Sequence, residues 1–253
     1  MKKLFAAILV LGLAGGLAQP MRADDAADAK VIIDKAIKAL GGEEALGKVK
    51  AASWKAKTTL TFNNTDNSGT SEVTMQGVDH YRQEFNGEFN GMKFKGVFLL
   101  AGDKGVRSFG GQTTPLEKDA LAAQKRMAYL AIIPVTLLAL KEKEFKSEPI
   151  AEEKIDDKPA VGLKVTAPDM KDFKLYFNKD SGLPVRLVAK VTGFQPGMEF
   201  TQETNFSDYK DAAGIKKAMK IVSKRDGEKF QTMDITEFKA MEKVDPKVFT
   251  EVE

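Results

Sequence analysis

Two periodicities divide this chain, and the place where one interrupts the other constrains the fold more than any other feature. From Lys50 onward, apolar residues recur at every second position in segment after segment, with a turn signal between segments. At residues 121–140 (LAAQKRMAYLAIIPVTLLAL) the alternation stops, and the longest apolar run outside the N-terminus takes its place. Its purely apolar part, from Met127 to Leu140, is 14 residues long and has only Tyr129 and Thr136 as side-chain polar groups. That is too short to span a bilayer, which takes about 20 residues. A helix opening near Pro115-Leu116-Glu117-Lys118 in the middle of an alternating chain predicts a curved antiparallel sheet with a helical lid at residues 116–140. Pro134 lacks a backbone donor and clashes with the preceding turn, so it should split the lid into a helix and a second short helix.

The alternation is clearest at the start. Ala52, Trp54, Ala56, Thr58, Leu60 and Phe62 alternate with Ser53, Lys55, Lys57, Thr59 and Thr61. Such a strand would run ~43 Å at about 3.3 Å per residue, with one apolar face and one Lys-studded face toward water. Residues 63–69 (NNTDNSG) form a turn by composition. Val73 and Met75, then Tyr81 and Phe85, then Met92, Phe94, Phe98 and Leu100 continue the inward set, while Lys93 and Lys95 point out. Turns fall at Gly77, Asn86-Gly87, Asn90-Gly91 and Gly102-Asp103. Beyond the lid, strands resume near Phe145. Val161, Leu163 and Val165, then Phe173, Leu175 and Phe177, then Leu183, Val185, Leu187 and Val191 face in. Met198, Phe200 and Phe206, Met219 and Ile221, and finally Met233 and Ile235 complete the set. Turns at Asp156-Asp157, residues 178–182, Gln195-Pro196-Gly197, residues 211–214 and Asp226-Gly227 give ten or eleven strands in all.

Ahead of the strands, Ala29, Ile33, Ala36 and Leu40, widened by Ile32 and Ile37, lie at helical spacing. Asp25 or Asp28 can cap that helix, Gly41-Gly42 ends it, and a short turn at residues 43–47 follows. Further upstream, Lys2 and Lys3 precede an uncharged apolar run at residues 4–18 that ends among small residues, the layout of a signal peptide cleaved after Ala18 or Ala23. Without residues 1–23, Lys plus Arg falls from 39 to 36 against 36 Asp plus Glu, so the mature chain is formally neutral. Nucleic-acid binding through net field loses its support. No cysteine is present, so an exported chain of this size must be held by its core alone. The periplasm is the expected location, with residues 24–253 as a single domain and no integral membrane segment in the mature chain.

Nothing points to chemistry. His80 is the sole histidine, and its place beside Tyr81 in an alternating run puts it on the solvent side. A catalytic triad or a His-ligated metal would rest on it alone. The acid pairs Asp24-Asp25, Glu152-Glu153 and Asp156-Asp157 lie in Lys-rich turns or termini rather than a cleft. No calcium loop and no Gly-rich phosphate cradle precedes a helix. No enzyme activity, metal or cofactor is therefore expected. The positive signal is a surplus of inward apolar bulk, with 16 Phe, 10 Met and one Trp in the chain. A curled sheet too wide to fill itself would leave an apolar cavity, with flexible Met and a Pro-broken helix suited to adaptable ligands. Trp54, Leu60, Phe62, Met75, Phe85, Phe94, Phe98, Leu175, Phe177, Val185 and Phe200 would line it, and Leu130, Ile133 and Leu137 would face it from the lid. The alternative is a solid-cored scaffold or protein-interaction module without a small ligand.

Several short motifs carry a resemblance. They are Gly102-Asp103-Lys104-Gly105-Val106, Tyr176-Phe177-Asn178-Lys179-Asp180-Ser181-Gly182-Leu183, Phe206-Ser207-Asp208-Tyr209-Lys210 followed by Gly214-Ile215, and the ending Val244-Asp245-Pro246-Lys247-Val248-Phe249. With the order helix, meander, helical insertion, strands, they resemble the LolA/LolB-like outer-membrane lipoprotein carriers and the wider set of exported lipoprotein-sorting-like proteins. The resemblance implies an unclosed β-barrel wrapped round a hydrophobic cavity, covered by helices, that carries acyl chains without chemistry. It also implies a lipid or acylated protein as partner. The carriers proper resemble a pattern of Arg then Pro shortly before an aromatic strand, the Arg helping to lock the lid. Gln76-Gly77 stands at the comparable place here.

Overall fold

Among the described residues, five hairpins turn on two residues that both have positive φ: Asn63-Asn64, Gly110-Gly111, Asp156-Asp157, Ala213-Gly214 and Asp226-Gly227. That geometry matches the right-handed twist of the strands it joins, which is why Asn, Asp and Gly recur at these points. The strands between the turns build one sheet. The computed structural model describes residues 23–89, 92–193 and 197–252. The expected signal peptide lies outside the described residues except for Ala23, and so do the expected turn residues Asn90, Gly91, Gln195 and Pro196.

In chain order come α1 (Ala23–Leu40), α2 (Glu43–Gly47), β1 (Ala51–Phe62), β2 (Thr65–Gln76), β3 (His80–Phe89), β4 (Met92–Ala101), β5 (Lys104–Phe109) and β6 (Gln112–Leu116). Helix α3 (Lys118–Thr136) and a 3-10 turn (Leu138–Lys141) lead to β7 (Lys146–Ile155), β8 (Lys158–Thr166), β9 (Asp172–Asn178) and β10 (Pro184–Thr192). Then follow β11 (Glu199–Ala212), β12 (Ile215–Arg225), β13 (Glu228–Met241) and a 3-10 turn (Pro246–Phe249). The thirteen strands form one antiparallel sheet ordered β6-β5-β4-β3-β2-β1-β13-β12-β11-β10-β9-β8-β7. Two meanders are joined where the first strand pairs with the last, Trp54 opposite Phe238.

This order dictates curvature. β6 and β7 are the two edges of the sheet, yet only residues 117–145 connect them. Laid flat, twelve inter-strand spacings of about 4.8 Å would put those edges ~58 Å apart. Helix α3, with 19 residues, covers only ~28 Å at 1.5 Å per residue. The rest of the connection could make up the difference only if fully extended, and Leu138–Lys141 is instead a 3-10 turn, so the sheet curls and the connection crosses its concave side. Accordingly α3 touches β4 and β5 on one flank and β10 on the other, while α1 packs on β7 and β12. One cluster of buried residues joins both helices to the concave face, from Ile33 and Leu40 through Trp54, Met75 and Ile133 to Leu175, Phe177 and Leu187. The sheet remains unclosed.

Three local expectations are corrected. The strands number thirteen among the described residues rather than ten or eleven, and β6, which no alternation marks, runs through Gln112–Leu116 despite Pro115. An edge strand tolerates a missing donor. The turn expected over residues 63–69 is only Asn63-Asn64, and the polar segment after it is already β2, with Thr65 opposite Phe62. Lastly, the helix does not break at Pro134. It continues to Thr136 and ends at Leu137, which takes a left-handed conformation (φ 62°) while its N–H donates to the Ile133 carbonyl at 2.8 Å. Proline so close to the helix end frees only one carbonyl, and the reversal falls at the C-cap instead.

Candidate functional site

The crossover helix is fastened to both flanks of the curl. On the β4–β5 side, Lys125 meets Asp103 of the hairpin at 2.5 Å, both in contact with water. On the other side the fastening is buried. Arg126, 3% exposed, donates through Nε to the Lys190 carbonyl at the end of β10 (2.7 Å) and through Nη2 to the Asp172 carbonyl at the start of β9 (2.8 Å). Its Nη1 reaches the Tyr129 hydroxyl at 2.7 Å and Asp169 at 3.1 Å. Tyr129 in turn donates to the same Asp169 carboxylate at 2.5 Å. Burial, with the Asp169 hydrogen bond second, pushes the Tyr129 phenol well above its ordinary value, so it stays a donor. The planar fork of arginine suits this junction of carbonyls and a carboxylate, which lysine could not bridge.

Sequence reasoning passed over Arg126 as the last polar residue before the apolar run. The signal was available in outline: an arginine at the head of a helix's apolar stretch needs a buried set of acceptors. Which acceptors it finds depends on the curl, and they lie 43 to 64 positions away.

Beneath the helix the concave face is packed. Trp54, Met75, Leu130, Ile133, Leu137, Leu175 and Phe177 are all buried and meet in the main core. Further along the strands the helices no longer cover the sheet. There Leu60, Phe62, Phe85, Phe98 and Phe200 are half-buried, and Phe94 is exposed. Phe94 stacks on Phe109, Phe98 meets Phe109 edge-on, and Phe85 leans on Phe94, at centroid distances of 5.7, 5.2 and 6.2 Å. Glycines let the rings lie flat: a Cβ on Gly69 would come within 2.9 Å of the Phe85 ring, and one on Gly96 within 3.1 Å of Phe109. A groove of about 620 Å³ opens here, lined by Ser68, Gly87, Phe94, Lys95 and Gly111 among others.

Val185, expected on the concave face, lies on the other side of the sheet. Val185 packs with Ile150 and Val188 around Ile155, Ala160 and Tyr176 in a satellite cluster, and Tyr176 alternates with the inward Leu175 and Phe177. A bulge between Pro184 and Arg186 shifts the register and turns Val185 to the other face. His80 lies at the rim as expected, with Nδ1 2.7 Å from Asp79 and its ring against Phe249.

Several outward cations have acids beside them: Lys55 with Glu72, Arg186 with Glu203, Lys220 with Asp234 and Lys239 with Glu237, at 2.6 to 3.9 Å. Lys217 of β12 is 5% exposed and has no acid beside it among the described residues. Its ammonium sits 5.0 Å from the Trp54 ring centroid and 5.9 Å from that of Phe238, and its hydrogen bond goes to its neighbour's carbonyl, Ala218, at 3.3 Å. Burial pushes its pKa down to about 8. At the open end Arg225 lies 3.6 Å from the Phe230 centroid and 5.3 Å from that of Phe200, with Gln202 as its polar partner. Among the described residues no cluster of His, Asp and Glu could hold a metal, and no helix is long and apolar enough to cross a membrane.

No protein-family model and no curated protein sequence matches the chain. Solved structures do. A LolA superfamily protein from Nitrosomonas europaea is 11% identical, with 88% of this chain and 97% of that one covered at a TM-score of 0.55. A domain assigned as an outer membrane lipoprotein-sorting protein, from Vibrio parahaemolyticus, is 8% identical over 88% and 97% of the two chains, again at 0.55. A DUF1329 family protein from Desulfovibrio piger is 13% identical over 87% and 96%, at 0.52. At these identities the likeness is one of architecture, and it extends over nearly the whole length of each neighbour. An unclosed antiparallel sheet curled around a crossover helix is the fold this chain shares with the LolA superfamily and lipoprotein-sorting structures.

Proposed function

We propose that this protein is a non-catalytic carrier, exported after removal of residues 1–23, whose single domain at residues 24–253 holds an acyl chain on the concave face beneath α3. The observation that carries this reading is the continuity of that face. It passes from a core covered by a latched helix to a half-buried aromatic surface that nothing among the described residues covers. Apolar surface left open at the mouth of a curled sheet is where an apolar ligand gains most by leaving water. The lipoprotein-sorting assignment of one neighbour agrees with it.

In the closed form the side chains beneath α3 fill their own space, so an acyl chain enters as the helix lifts and its apolar face exchanges protein for lipid. Lys125 and Arg126, side by side at the head of the apolar stretch, are the contacts that lifting must break. The same dense packing favours a second reading, a solid-cored envelope scaffold whose outer face meets a partner protein. Organic extraction of the purified protein followed by mass spectrometry separates them. The carrier reading expects co-purified acyl lipid near one equivalent, or saturable binding of an apolar fluorescent probe after delipidation. A protein that yields no lipid and binds no probe is the scaffold.

A further inference from the structure

A buried ammonium without a counter-ion is costly to a fold, because it gives up hydration and receives little in return. Lys217 is in that position: its hydrogen bond, to the Ala218 carbonyl, is long at 3.3 Å, and among the described residues no carboxylate lies within ion-pair reach. The indole N–H of Trp54, whose ring the ammonium faces, is itself buried without an acceptor. Two unserved donors, one of them cationic, thus meet at one point of the concave floor. Methionine in place of lysine would pack there at no electrostatic cost.

Resting on the reading that the concave face holds an acyl chain, we infer that Lys217 and Trp54 form a subsite for the acidic head group, carboxylate or phosphate, of an anionic amphiphile. An anionic oxygen between them accepts from both donors, and the bond to the ammonium is charge-assisted. The tail then runs along β12 toward the aromatic open end. From Lys217 to Arg225 is eight residues, ~26 Å at about 3.3 Å each, the scale of a long acyl chain. Lys217 and Arg225, both facing inward aromatics, have no ion pair among the described residues. A neutral ester or alcohol would leave the ammonium uncompensated, so the site discriminates by charge more than by chain.

The test compares matched ligands on the delipidated protein: hexadecanoate, hexadecyl phosphate and methyl hexadecanoate, with acetate and inorganic phosphate as chainless controls. One or both acids should bind at least about tenfold tighter than the ester, about 1.4 kcal/mol, and the tighter of the two names the head group. Acetate and phosphate alone should not bind measurably. Lys217→Met should abolish the preference for acid over ester, and Lys217→Arg should retain it. Lys217→Met removes an unpaired buried charge, so its unfolding midpoint should rise, and the comparison of acid with ester in the unaltered protein needs no variant at all. Equal affinity for acid and ester overturns the subsite and leaves the carrier reading standing. Binding of the chainless anions as tightly as the amphiphiles overturns the subsite as well. Binding of none of the five overturns both readings.

Discussion

Replacing Arg126 with methionine is expected to lower the free energy of unfolding by about 3 kcal/mol, the cost of breaking a buried charged node by removing one partner. The substitution strands several groups at once: the Asp169 carboxylate, the Tyr129 hydroxyl, and the carbonyls of Lys190 and Asp172. The Asp169 side chain keeps 26% of its exposure and recovers some hydration, which holds the loss below the extreme for a fully buried carboxylate. Lys125→Ala is the control. Its partner Asp103 is fully in water, and loss of such a pair should cost less than about 1 kcal/mol. Urea unfolding of the two variants measures the difference, and amide exchange across residues 118–136 should accelerate in Arg126→Met well beyond Lys125→Ala. Equal behaviour of the two would mean that α3 is not latched at Arg126.

Ile133→Asp should act still more strongly. Ile133 is 1% exposed in the last turn of α3 and packs into the main core. Truncating such a side chain alone costs about 3 kcal/mol, as Ile133→Ala should show. An unpaired carboxylate adds several kcal/mol, for a total above about 5 kcal/mol, comparable with the whole stability of a domain. Undocking the helix relieves that cost more cheaply than unfolding the sheet, because β-pairing does not depend on α3. The expected result is a folded sheet with α3 released: amides of residues 118–136 exchange freely and Trp54 emission moves to the red as water reaches the floor. Unchanged emission and an unchanged unfolding midpoint would contradict the packing of α3 on the concave face.

Much of this was legible because β-structure writes its geometry into short range. Alternation marked the inward faces of β1, β4, β8 and β9, and Asn, Asp and Gly pairs marked turns whose φ values only such residues adopt readily. Leu121 through Leu140 stood out as helical because it interrupts segments that all alternate, and its place between two meanders makes it the connection that must cross the curl. What stayed hidden depends on register and on long-range geometry. Val185 alternates with Leu183 and Leu187 in the sequence, but a one-residue bulge carries it to the other face. Pro134 signalled a break that the backbone takes three residues later, at Leu137. Arg126 and Lys217 read as ordinary polar punctuation. Their buried settings exist only after β10 has been brought against α3 and β12 against β13 and Trp54.

The chain contains one tryptophan, and it lies on the concave floor, 3% exposed. Its fluorescence therefore reports on the proposed site alone. Titrating the delipidated protein with a long acyl chain brominated along its length is the most direct measurement, because bromine quenches indole only at near contact. Entry of the chain beneath α3 predicts saturable quenching of Trp54, reversed by the unbrominated chain. It also predicts that joining positions 103 and 125 through Asp103→Cys and Lys125→Cys abolishes the quenching, in a protein with no other cysteine. Quenching that rises linearly without saturation, or that persists unchanged when the helix is pinned, would contradict an acyl chain held between the sheet and its crossover helix.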